Sequence, residues 1–117
     1  MFLPNRIQLS KNSTNKLQVI KNQTGVTPNI LSRIAIMLAI NSNDDISNAG
    51  VDDVSGQVLN KDVLFGDHID AYEVLIKQYI HNNRIDIPVN IVISSLVEIG
   101  VHKMGHVRSL EQLCSLS

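Results

Sequence analysis

Cysteine occurs once in this chain, at Cys114, and tryptophan not at all. One thiol excludes an intrachain disulfide framework and any cysteine-rich zinc or iron–sulfur site held by a single chain, so a reducing compartment is expected. Two Phe and two Tyr are too few for the aromatic platforms that stack the bases of single-stranded nucleic acid. No run of 18 apolar residues is present, and the first residues lack the basic region and apolar run of a signal peptide. The expectation is a cytoplasmic protein. Acids are missing from the first 43 residues altogether, while that segment holds Arg6, Lys11, Lys16, Lys21 and Arg33, a charge of +5. All eleven acids fall in residues 44–117 against Lys61, Lys77, Arg84, Lys103 and Arg108, a charge of −6. A merely solvated surface mixes both signs. This polarity is what an anion-binding end on an acidic body looks like.

The 117 residues fit one domain, with a basic part over 1–43 and an acidic helical part over 44–117. Fifteen Ile, twelve Leu and twelve Val supply a core and argue against disorder of the whole chain. Arg6, Gln8 and Ser10 alternate with Ile7 and Leu9, the period of a short strand with its polar side chains on one face. Residues 11–24 read as a helix with Ser13, Leu17, Ile20 and Thr24 inward, stopped by Gly25. Thr27 as N-cap and Pro28 at the first helical position open a second helix through Ile30, Leu31, Ile34, Met37 and Leu38. It is apolar nearly all round from Ile30 to Ile40, which predicts cover from another subunit. Residues 41–66 read as an Asn-rich, acidic connection with room for one short strand or turn. Asp67 is expected to cap a helix running to Asn82 with Ile69, Tyr72, Leu75, Ile76, Tyr79 and Ile80 inward. Asp86 and Pro88 start another to Met104, and a short one covers 107–116. The sum is a mainly α fold, one short N-terminal strand and about five helices, in an oligomeric helical assembly.

A strand followed by two helices is also the outline of a ribbon-helix-helix module, in which two chains pair their strands and set the polar strand face, here Arg6, Gln8 and Ser10, in the major groove. A transcriptional repressor or antitoxin is therefore the alternative function. The amides near Thr27, Pro28 and Asn29 offer a phosphate seat at a helix start. Lys11, Lys16 and Lys21 do not form one stripe, because five-residue steps turn each about 140° from the last; Lys16 and Lys21 flank the apolar face, where lysine stems ordinarily snorkel.

The run Leu3-Pro4-Asn5-Arg6-Ile7-Gln8-Leu9-Ser10-Lys11, then Lys21, then Thr24-Gly25-Val26-Thr27-Pro28-Asn29-Ile30-Leu31-Ser32-Arg33-Ile34-Ala35, resembles the DndE family of bacterial DNA sulfur-modification proteins. Gly66-Asp67-His68 and the helix from Ile91 to Gly105 are similar to it as well. The resemblance implies a small helical, non-catalytic subunit, without a cofactor, of the system that replaces a non-bridging phosphate oxygen of DNA by sulfur. It implies a homotetramer that binds double-stranded DNA, preferentially nicked. The chemistry is implied to belong to partner proteins, a cysteine desulfurase, an adenylating iron–sulfur protein and an ATPase-like protein. Carried onto this chain, Arg6, Lys11, Lys16, Lys21 and Arg33 match the basic DNA-binding region, and the turn at Thr24, Gly25 and Val26 matches the turn associated with subunit contact.

Other constellations carry less. His102 and His106 are four apart, as on a metal-binding helix, but Gly105 interrupts them. Cys114 lies in an apolar repeat where a packed thiol is ordinary rather than a sulfur carrier. Asp67, Asp70 and Glu73 fit helix-start chemistry better than a magnesium site. There is no Gly-rich phosphate loop, nucleophile elbow or HExxH.

Overall fold

Ser10 is held in an extended conformation, and its hydroxyl accepts the amide of Ser13 at 3.0 Å, so the chain turns there from strand into helix. In the computed structural model, which describes residues 3–42, 46 and 55–105, strand β1 (Arg6–Gln8) leads through Ser10 into helix α1 (Lys11–Thr24). Gly25 ends α1 at φ 76°, a left-handed position that only glycine adopts without penalty, and its amide bonds Lys21 O at 2.8 Å. Helix α2 (Pro28–Asn41) follows at once. Thr27 is extended ahead of it as expected, but its hydroxyl makes no capping bond.

Beyond the connection come strand β2 (Val58–Asn60), the single-turn helix α3 (Lys61–Phe65), a 3-10 turn at Gly66–His68, helix α4 (Ile69–Asn82) and helix α5 (Val89–Lys103). Four of the expected helices are therefore present, and the fifth, over 107–116, lies outside the described residues. Two starts differ from expectation. Asp67 does not cap α4, because it sits inside the 3-10 turn rather than in the extended conformation a cap requires. Asp86 does not open α5: Pro88 drives the residue before it out of helical space, and the helix begins at Val89.

β1 and β2 pair antiparallel, Arg6 opposite Asn60, Ile7 opposite Leu59 and Gln8 opposite Val58, which turns Ile7 and Leu59 into the core. The strand partner of β1 thus belongs to the same chain, whereas a ribbon-helix-helix dimer takes it from a second one. Ser10 is not on the outer strand face either; it is 2% exposed.

The helix enclosed on most sides is α5, whose Val92, Ile93, Leu96, Val97 and Val101 are buried along with Ser94, Ser95 and Glu98. It packs on α2, and Gly100 lies so close to Ala35 that a side chain there would collide with the Ala35 backbone. Leu31, Ala35, Ile36 and Ala39 of α2 are thereby covered within one subunit. On its other side Ile30 remains 43% exposed, and α2 and α4 leave an open groove of about 400 Å³ lined by Ile30, Ile34, Met37 and Leu75, among others. No helix among the described residues is long and apolar enough to cross a membrane.

Candidate nucleic-acid interface

Three sets of hydrogen bonds fix the start of α1 and with it the basic segment. Glu98 of α5 accepts the Ser10 hydroxyl on Oε1 at 2.8 Å and the Asn12 side-chain amide on Oε2 at 3.2 Å. The stretch before β2 lies against the first turn of α1: Gly56 N donates to Leu9 O at 2.8 Å and Gln57 N to Thr14 Oγ1 at 2.9 Å. A side chain at Gly56 would collide with Ser10 and Thr14. Gln8 is engaged too, donating its amide to Gly56 O at 3.2 Å rather than projecting free from the strand. A buried acid beside the first turn of α1 also complements the positive end of the helix.

On that seat the expected cations are spread over an arc. Arg6 is exposed on β1, Lys11 and Lys21 are exposed at the two ends of α1, and Lys16 is half-buried between them. The inner face of α1 is Ser13, Leu17 and Ile20, with Thr24 half-buried and its hydroxyl bonded to Ile20 O at 2.8 Å. Gly25 is exposed, and a Cβ added there meets nothing within 4 Å in the subunit.

Arg33 stands apart from this arc. It is half-buried in the groove between α2 and α4, where its guanidinium lies 3.7 Å from the position a Gly66 side chain would take. Burial pushes the pKa of the Tyr72 hydroxyl above its usual value of 10.0, and the Arg33 charge pulls in the opposite direction. The Tyr72 ring packs on Phe65 with centroids 5.0 Å apart. At the α2 start Asn29 Oδ1 and Arg33 Nε, one turn apart, are buried without a hydrogen-bond partner among the described residues, and the first turn carries no acid.

His102 is exposed at the end of α5, while His106 and Cys114 lie outside the described residues. Among the described residues no three His, Cys, Asp or Glu side chains converge as metal ligands. Asp67 and Asp70 are exposed near the start of α4, with Glu73 half-buried one turn on. The Glu98 anchor escapes a reading of the sequence because an acid on an apolar helix looks like an ordinary solvent-facing position. Its one visible signal is isolation, with no other charge between Asp86 and His102.

The family model described as DNA sulphur modification protein DndE matches residues 6–110. Among the solved structures that share the fold are two of DndE. A crystal structure of DndE from Escherichia coli B7A, involved in DNA phosphorothioation modification, is 27% identical with a TM-score of 0.71, covering 87% of this chain and 98% of that one. A DndE G21/24K mutant, also described as involved in DNA phosphorothioation, is 25% identical with a TM-score of 0.70 over the same shares. Among curated proteins no match is found.

Proposed function

The chain belongs to the DndE family of DNA sulphur modification proteins, and from that membership we propose that it is a non-catalytic subunit of a DNA phosphorothioation system that binds the backbone of double-stranded, nicked DNA. It acts in the cytoplasm as a homotetramer, alongside the other proteins of the modification complex, with Arg6, Lys11, Lys16, Lys21 and Arg33 contacting phosphates and Gly25 at the subunit contact. The observation that carries this reading is an acid-free segment with five cations, three of which, Arg6, Lys11 and Lys21, are exposed on β1 and α1. Phosphate contacts of this kind give affinity that falls steeply with salt and varies little with sequence. The in-chain pairing of β1 and the engagement of Gln8 weigh against a repressor that reads bases through that strand.

Gel shifts with intact, nicked and single-stranded DNA, on protein whose mass in solution is measured in parallel, test ligand and assembly together. Retention of nicked duplex that disappears between about 50 and 200 mM salt is expected. Binding that is flat with salt, or confined to one sequence, overturns the reading.

A further inference from the structure

The end of helix α4 and the turn after it carry two further cations, Lys77 and Arg84, with His81 between them. Lys77 and His81, one turn apart on α4, and Arg84, two residues past its end, line an open cleft of about 700 Å³ together with Ile80, Asn82 and Ile85. Among the described residues no acid lines it; Glu73, one turn before Lys77, and exposed Asp86, just past the cleft, both lie outside. Ile80 and Ile85 give the cleft an apolar floor against which the stems of the long cations can lie.

Cations in the last turn of a helix ordinarily serve its negative end. Here that end is already served by other groups. The Asn83 side chain donates to Tyr79 O at 2.8 Å, the Asn83 amide reaches the same oxygen at 3.1 Å, and Ile85 N bonds Ile80 O at 3.0 Å. Arg84 is moreover the one described residue other than glycine with a positive φ, 53°, at the position after the helix where glycine is the usual occupant. A strained backbone that carries a long cation into an acid-free cleft calls for a use of the side chain.

We propose that this α4 face is a second contact surface for the phosphate backbone of duplex DNA. The proposal rests on the DNA-binding reading above and adds to it a surface outside the N-terminal basic segment. Arg84 carries the argument, with the His81 imidazole beside it as a hydrogen-bond donor and Lys77 at the far end of the cleft.

The test is fluorescence anisotropy with labelled nicked duplex between about 50 and 200 mM salt, on the full chain and on Arg84→Gly, His81→Gln and Lys11→Glu. Glycine is at home at this φ, so Arg84→Gly should keep or raise the thermal midpoint while binding DNA a few-fold more weakly. Its slope of log affinity against log salt should shrink by about 0.9 for each phosphate that is no longer neutralised. His81→Gln should weaken binding in the same direction. If both variants bind as the full chain does while Lys11→Glu weakens binding, the α4 surface is refuted and the N-terminal reading stands. If the unaltered chain does not bind duplex at the lowest salt, both fall.

Discussion

Glu98 and Ser10 meet at 2.8 Å across 88 positions of sequence, and their bond ties the innermost helix to the residue that caps the basic helix α1. Asn12 Nδ2 holds the other carboxylate oxygen. Removing the carboxylate breaks both bonds and leaves the Ser10 hydroxyl only Ser13 Oγ, at 3.0 Å, to donate to, so Glu98→Ala should lower unfolding stability by about 1–3 kcal/mol in urea titration. Glu98→Gln keeps one acceptor oxygen and should lose less. Equal stability of all three chains would show that the bond contributes nothing.

Gly100 should tolerate no side chain. The Ala35 backbone occupies the space a Cβ needs, so Gly100→Ala must part α2 from α5. The expected cost is about 1–3 kcal/mol, read as a drop in thermal midpoint; a midpoint unchanged within error would mean that the two helices slide apart freely.

Gly25 separates folding from assembly. A side chain there meets nothing in the subunit, but φ 76° costs any other residue about 1 kcal/mol. Gly25→Glu should therefore keep its helical circular dichroism and reduce the proposed tetramer in light scattering. An assembly of unaltered mass would move the subunit contact elsewhere.

Tyr72 makes stability sensitive to alkali. Burial disfavours its phenolate, so the folded chain holds the proton to higher pH than the unfolded chain does. The stability this contributes is complete below the ordinary value of 10.0 and is lost as pH climbs through the raised folded value. Urea midpoints measured from about pH 8 to about pH 11 should fall less for Tyr72→Phe than for the unaltered chain. Identical curves would assign the alkaline loss to other groups.

Single charge reversals at Lys11, Lys16, Lys21 and Arg33 should weaken DNA binding additively, each lowering the salt slope by about one unit for every phosphate it ceases to neutralise. Arg33 is the discriminating member, because it sits in the α2–α4 groove and not on the α1 arc. A reversal there without effect would restrict the N-terminal interface to β1 and α1.

The end of α1 and the start of α2 are legible in the sequence because Gly25 and Pro28 mark them, whereas Ser10 reads as a residue of the strand and is instead the cap of α1. β2 is readable only as room for a short strand, since Val58-Leu59-Asn60 has no length to show a period and its partner lies about 50 residues away. Asp67 misleads because a capping residue type need not adopt a capping conformation. For the candidate site, the sign and abundance of charge can be read directly, whereas the face each cation occupies cannot. Lys16 and Arg33 are half-buried and Lys11 and Lys21 exposed through packing against elements far along the chain, which residue spacing does not encode.

During synthesis the basic segment is made before the groups that seat it. The Gly56 oxygen that holds Gln8 comes 48 residues later, and the Glu98 carboxylate that holds Ser10 comes 88 residues later. At ribosomal speed the second lag is about 4–18 s. A fragment ending before Glu98 keeps every N-terminal lysine and lacks the clamp on its first helix. The basic head is therefore a late product of the whole fold and not a detachable module.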